Sequence, residues 1–399
     1  MSPISRRGFL GAVGGGMAAG FGSRLAAAQR TSAQTGPAAP VPEHKSQFAL
    51  IHTTDLFRPH ADPDDHFDLA TAFALAAQGR FELLAVMIDH PPANLNADPD
   101  VLAVAQMNRI TGLSVPILTG SARRLDPAEA SRPENRAEAA GAMSMLRLMQ
   151  ASRLPVLITI VGSARDVALA SRLEPKLFAE KCAGVYLNSG SGTPDRSKAA
   201  RLEYNVSQDP ISYAALFDLS CPLFWMPCFE VAPSGGGPFA PGEFGTYYRF
   251  LQKDFLPQLS THLQNYFAFM FKQGDSDKVA QTEAEALRPN WLRYLEGPRE
   301  EALLERQGRN YRNVWSTAGF FHAAGYFISL DGRICGRSDT ASAPVYSFDP
   351  VRVRCGKDGV TEWSPDPGSK NRFLFHVRDL GRYPAAMTAA LLALLRTLP

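Results

Sequence analysis

Between His52 and Asp68 five aspartates fall within fourteen residues: Asp55, Asp62, Asp64, Asp65 and Asp68. Carboxylates this close repel one another unless a cation, a net of donors or protonation offsets their charge. An all-oxygen donor set suits a hard divalent ion such as calcium. Helix capping and the helix dipole would account for one or two acids at a helix start, not for five. Three histidines, His52, His60 and His66, are interleaved with them, and with Asp55 they would make a transition-metal, phosphoesterase-like set. His52, however, falls inside an apolar strand pattern, and His60 and His66 fall on a loop and on the outside of a helix. The aspartates are therefore the leading candidates for chemistry.

The elements around the cluster must hold it at one edge of a sheet. Residues 48–52 read as a buried strand, 53–65 as a polar loop with two prolines, and 67–77 as an amphipathic helix. Strand and helix patterns then alternate: strands over 81–88, 115–118, 155–161, 184–187 and 223–227, helices over 101–111, 137–149, 166–171 and 210–217. This alternation predicts an α/β fold, a doubly wound, mostly parallel sheet with helices on both faces. In such sheets ligands bind at the carboxyl ends of the strands, where the aspartates lie. Residues 250–272, after a Gly/Pro-rich loop at 234–245, predict a helical insertion. Residues 344–354 and 372–377 predict a small C-terminal strand pair, and a last helix runs over 383–398.

Three motifs in order give the chain a resemblance to a known family. Thr53-Thr54-Asp55-Leu56 followed by Asp62-Pro63-Asp64-Asp65 resembles the aspartate-rich start of the inosine-uridine-preferring nucleoside hydrolases, with the loop lengthened by residues 57–60. The stretch 155–163 running into 166–175 is similar to that family's strand, glycine turn and helix, and 184–190 sits where it has an apolar strand and glycine turn. Glu203-Tyr204-Asn205-Val206, with Asp209-Pro210 after it, looks like the family's Glu-aromatic-Asn motif. The order holds over about residues 48–230.

The resemblance implies a hydrolase that cleaves the N-glycosidic bond of a ribonucleoside or related ribosylated compound, with calcium as cofactor. Asp55 would be a metal ligand and the general base, Asp65 and the Val161 carbonyl would be metal ligands, and Asp64, Glu203 and Asn205 would hold the ribose. Departures from the family pattern fall on Thr53, on Ser197, and on Thr317, which stands where the family has a metal-ligating aspartate; Asp62 or Asp68 would then compensate. Asn94 or Asn96 would supply an asparagine after the second strand, and Trp225, Trp291, Trp315 and Trp363 are candidates to stack a base. These departures motivate a second expectation, a non-catalytic exported protein that keeps the pocket to bind sugars or nucleosides. The long loop and the insertion motivate a third, glycosidase-like action on a larger saccharide.

Composition bounds the rest. The formal net charge is +2 and no basic block occurs, which speaks against a nucleic-acid partner and for a small-molecule substrate. Residues 1–28 have the layout of a twin-arginine signal peptide, with Arg6-Arg7, a Gly/Ala-rich apolar stretch and Ala26-Ala27-Ala28. Residues 29–46 read as a flexible leader and 47–399 as one folded domain. The expected partner is the twin-arginine export machinery and the expected location periplasmic or extracellular; the resemblance also allows a homo-oligomer. The five cysteines, Cys182, Cys221, Cys228, Cys335 and Cys355, have no zinc-type spacing. Buried thiols are the simplest reading, with a Cys335–Cys355 bridge as the alternative.

Overall fold

A computed structural model describes residues 46–57, 63–89, 99–124, 126, 132, 139–233, 238–274 and 278–399. Residues 1–45 of the signal and leader segments, His60, Asp62, His90, Asn94 and Asn96 lie outside the described residues. The architecture is the expected α/β one. A nine-stranded sheet has the order β12-β11-β13-β6-β5-β4-β1-β2-β3, formed by β1 (Ala49–Thr54), β2 (Glu82–Ile88), β3 (Ile117–Thr119), β4 (Val156–Ile160), β5 (Cys182–Asn188), β6 (Leu223–Met226), β11 (Tyr346–Cys355), β12 (Thr361–Pro365) and β13 (Arg372–Val377). Strands β3 to β13 across the centre are parallel, and only β11 and β12 run against their neighbours. Two short antiparallel pairs stand apart: β7 (Tyr248–Leu251) with β8 (Tyr311–Val314), and β9 (Tyr326–Ile328) with β10 (Ile334–Gly336).

Both faces of the sheet are buried because successive strand residues feed opposite layers. On β1, Leu50 joins one apolar cluster and Ala49 and Ile51 the other; on β4, Leu157 joins the first and Val156, Ile158 and Ile160 the second. Helices α1 (Pro63–Ala77) and α2 (Pro99–Thr111) cover the first face, and α3 (Ala140–Ala151) and α4 (Arg165–Leu173) the second. From β1 the chain moves to β2 and β3 on one side, then crosses back to β4, β5 and β6 on the other. The carboxyl ends of β1 and β4 thus flank the point where winding reverses, the crevice in which such sheets bind ligands.

Two expected elements differ in shape. Residues 250–272 do not form one helix: β7 runs to Leu251, two 3₁₀ turns follow at Gln252–Asp254 and Leu256–Gln258, and only Thr261–Gln273 is α-helical. Pro257 is incompatible with a helix interior, while the Ser260 side chain accepts the Leu263 N–H at 3.3 Å and starts the helix there. At the C-terminus the loop expected between the two strands contains a third, β12, which pairs with β11 from Val351 opposite Pro365 to Cys355 opposite Thr361. It forms the sheet's edge, where a proline's missing N–H costs no ladder bond. Among the described residues no helix is long and apolar enough to cross a membrane.

The insertion is packed onto α1 through Phe67, whose ring stacks on Phe267 at 4.0 Å and meets Phe250 and Phe255 edge-on at 5.5 and 5.9 Å. Truncation of a fully buried phenylalanine costs about 3–5 kcal/mol. Phe67→Ala should therefore lower the urea midpoint sharply; an unchanged midpoint would mean that the insertion does not brace α1.

Candidate functional site

The first strand delivers Asp55 to the sheet edge, one residue past Thr54. The side chain of Asp65, in the first turn of α1, reaches back to it: Asp65 Oδ2 accepts the Thr54 hydroxyl at 2.8 Å and the Asp55 N–H at 3.3 Å. Asp65 thereby caps the strand exit and fixes α1 against β1. Carboxylate oxygens of Asp64, Asp65 and Asp68 lie within 4.8 Å of one another, and all three residues are buried. Asp55 is buried with them, at 1% exposure. Four carboxylates removed from water demand positive charge or donors, and oxygen donors at this density match a hard divalent cation.

The end of β4 completes the edge. The Val161 N–H donates to the Thr53 carbonyl at 3.1 Å, and Asn205 Nδ2 donates to the Val161 carbonyl at 2.7 Å. Three separate segments of the sequence, ending in Asp55, Val161 and Asn205, are thus joined. Asn205 is buried, and its Oδ1 has no hydrogen-bond partner among the described residues, an acceptor suited to a hydroxyl or a cation. Glu203, expected to hold the ribose, is buried and accepts backbone N–H groups. Its Oε1 accepts the Asn205 N–H at 3.0 Å, and its Oε2 accepts the Gly190 and Val206 N–H groups at 3.1 and 3.4 Å. It caps the helix Tyr204–Gln208 and so aims Asn205.

Glycine is required at two turns here. A Cβ on Gly162 would lie 2.8 Å from Asp89 Oδ2 and 3.2 Å from Asp55 Cβ, so any side chain would press on both carboxyl groups. Gly190 has φ +90° and sits against the Tyr213 hydroxyl. Asp89, at the end of β2, accepts the Ser163 N–H at 2.7 Å and its hydroxyl at 2.9 Å, holding the Gly162 turn from the other side.

Thr317 is near the acids but engaged. Its hydroxyl is 2.8 Å from the Tyr248 hydroxyl. Burial pushes the Tyr248 phenol up, the Thr317 bond opposes this, and the neighbouring charges of Asp68 and Asp64 add to the rise. Asp68, buried one turn after Asp64 and Asp65, adds a third carboxylate to their cluster. Asp62 lies outside the described residues. Ser197 is exposed on the helix Arg196–Ala199 and bonded to Asp195.

Several roles were not legible from sequence. Asn188, at the end of β5, gives Nδ2 to the Met226 carbonyl and the Thr246 hydroxyl and receives the Ser316 hydroxyl at 2.8 Å, tying β5, β6 and the segment before Thr317 together. Asp100 accepts the Phe57 N–H at 2.6 Å and anchors the strand-exit loop. His52 is a core histidine: its Nδ1 lies 2.9 Å from the Thr159 hydroxyl, its ring meets Phe320, and burial lowers its pKa to about 3. His66, expected on the helix surface, is instead buried between Phe57 and Tyr266, because the insertion covers that face. Trp225 is core, with Nε1 on the Ser189 carbonyl. Trp315 packs with Phe229, Phe239 and Tyr247, and Trp363 bonds the Gly192 carbonyl. Trp291 packs against the core at the insertion.

The arrangement defines an α/β protein with a buried cluster of acids at the reversal point of a doubly wound sheet. No protein-family profile matches the chain, and no curated protein sequence matches it. Among solved structures it is similar to the effector protein XOO4466, with a TM-score of 0.50 and 15% identity over 88% of this chain and 95% of that one. It is also similar to the type III effector protein XopQ in complex with adenosine diphosphate ribose (TM-score 0.45, 13% identity, 89% and 94% covered). A third is the inosine-uridine preferring nucleoside hydrolase of Bacillus anthracis (0.44, 11%, 86% and 99%). At these identities the likeness is one of fold.

Beside the crevice, Asp166 accepts the Ser121 N–H at 3.0 Å. Burial pushes its carboxyl up from 3.8 to about 7; the Ser121 N–H opposes the rise, Asp89 adds to it and Arg165 opposes it. Between about pH 4 and 7 the folded chain therefore holds a proton that the unfolded chain has lost, so this group's stabilisation falls as pH rises, by roughly 1.4 kcal/mol per unit. His52 acts oppositely, with stability lost as pH falls below its unfolded value of 6.5. Comparison with Asp166→Asn isolates the aspartate. The variant's urea midpoint should gain on the parent's from pH 4 to 7 and run parallel above pH 8; a pH-independent difference contradicts the assignment.

Proposed function

We propose that the chain is an N-ribosyl hydrolase of the nucleoside hydrolase type, cutting the bond between a ribosyl group and its leaving base. The observation that supports this most is the convergence at one sheet edge of three motifs far apart in sequence, ending in the Asp55 acids, the Val161 carbonyl and Asn205. Calcium would be held by Asp55, Asp65 and the Val161 carbonyl. Asp68 takes the share that Thr317, bonded to Tyr248, is poorly placed to give. The buried carboxylates and the open acceptor on Asn205 fit such an ion. When bound, the cation supplies charge neutralisation and Lewis acidity toward water and sugar hydroxyls.

The chain's own groups do the rest. Asp55 takes the proton of the attacking water as its oxygen bonds to the anomeric carbon, and the carbon–nitrogen electron pair leaves with the base. Asp64 accepts from a ribose hydroxyl, and Asn205 Oδ1 from a second. Glu203 acts through Asn205 as a positioning residue. The twin-arginine layout of residues 1–28 would carry the folded chain out of the cytoplasm.

A second reading, a sugar- or nucleoside-binding protein without turnover, is favoured by one observation: Thr317 and Glu203 are both committed to internal hydrogen bonds. Release of free base from a ribonucleoside panel, with calcium and after chelation, separates the two. Turnover that chelation abolishes, and that Asp55→Asn lowers at least ~100-fold, is expected of the hydrolase. Undiminished turnover in Asp55→Asn and Asp65→Ala would sink it, and binding without release would establish the second reading.

A further inference from the structure

The helix Tyr204–Gln208, which carries Asn205, has five residues, too few to hold a helix without tertiary contacts. Glu203 caps its start, and the hairpin of β11 and β12 closes on it from the far edge of the sheet. Val351, Val353, Cys355 and Trp363 of that hairpin pack in the same apolar layer as Leu202 and Val206. At the hairpin's tip Gly359 turns with φ +79°. A Cβ there would stand 2.7 Å from Val206 Cγ1, 3.2 Å from Pro210 Cβ and 3.3 Å from Leu202 Cδ2. The tip is thus seated on the residue after Asn205, with no room for a side chain between them.

A second contact falls on the turn that Glu203 grips. Trp363 Nε1 donates to the Gly192 carbonyl at 2.9 Å, and its ring meets Phe244 edge-on at 4.9 Å. The Gly192 N–H donates to the Phe229 carbonyl at 2.7 Å, and a Cβ on Gly192 would overlap the Phe244 carbonyl. Two residues earlier, the Gly190 N–H donates to Glu203 Oε2 at 3.1 Å. Arg196, between this turn and Glu203, pairs with Glu362 and, at 3.9 Å, with Asp358, both on the hairpin. Exposed ion pairs of this kind contribute little; the seated tip and the Trp363 bond fix the contact.

We propose that the β11–β12 hairpin is a brace for the Asn205 side of the site, with Trp363 and Gly359 as positioning residues for Asn205. Gly359 sets how closely the helix Tyr204–Gln208 can approach the hairpin. Trp363 holds the 190–192 turn, so that Glu203 receives the Gly190 and Asn205 N–H groups together. Asn205 Nδ2 is thereby kept on the Val161 carbonyl, which leaves Oδ1 as the acceptor for the ligand. The value of this to the reaction rests on the hydrolase reading; the brace itself does not.

The test compares the parent with Trp363→Phe, Gly359→Ala and Gly325→Ala. Trp363→Phe loses the N–H but keeps an aromatic ring, so it reads the bond even where Gly359→Ala does not fold. Gly325 has φ +80° and nothing within 4 Å of a Cβ, so its variant reports backbone strain alone. The first readout is the Asn205 side-chain amide in nitrogen–proton NMR spectra, assigned by its loss in Asn205→Asp. It should shift and exchange with water faster in Trp363→Phe and Gly359→Ala, and stay in place in Gly325→Ala. The second is base release from a ribonucleoside panel with calcium, where loss of one such bond should lower kcat/KM about 5-fold. An amide unmoved in both braced-position variants overturns the proposal, and so does a lowered melting temperature with the amide in place, which marks a hairpin that only stabilises. A moved amide in a protein whose parent releases no base supports the brace and sinks the hydrolase reading instead.

Discussion

The burial of negative charge at the junction of β1 and α1 is the constraint on which the rest of this structure turns. Asp55, Asp64, Asp65 and Asp68 sit in a region almost without solvent contact, where a carboxylate is stable only with donors or a cation. Part of that need is met locally, because Asp65 takes the Thr54 hydroxyl and the Asp55 N–H. Those same bonds set the angle at which α1 leaves the strand, so the charge cluster and the fold are specified together. An apolar substitute would remove the cluster's electrostatic cost but also this brace.

A second tier of polar residues holds the crevice in shape from behind. Asp89 grips the Gly162 turn, Glu203 caps the helix that aims Asn205, and Asn188 ties the ends of β5 and β6 to the segment before Thr317. Each is a buried side chain satisfying backbone groups left open where strands end. The described part of the site is thus held at the ends of strands and helices, which suits chemistry that depends on aligned oxygens.

Much of this was readable in the sequence, for identifiable reasons. Strands buried on both faces appear as apolar runs, and their alternation with helices led to a doubly wound sheet. The amphipathic pattern made the first helix visible from residue 67, although it begins at Pro63, and the density of aspartates exceeded what capping explains. What stayed hidden depends on partners distant in sequence. The roles of Glu203 as a cap reaching Gly190, of Tyr248 on Thr317, and of His66 under the insertion follow from contacts 13, 69 and 200 residues away. The insertion's broken helix was legible in principle from Pro257 and Ser260, but its aromatic spacing concealed the break. β12 was too short, and too polar at an edge, to stand out from a loop.

As proposed here, the acid cluster is a cation site rather than only a helix start. Thermal unfolding of the metal-stripped protein, with calcium added across a range of concentrations, tests it most directly. A site specific to the folded chain stabilises by RT ln(1 + [L]/Kd), so the melting temperature should climb steadily with calcium above Kd, and Asp65→Ala should flatten the climb. A melting temperature indifferent to calcium up to millimolar concentrations would contradict the claim and leave the aspartates as structural groups alone.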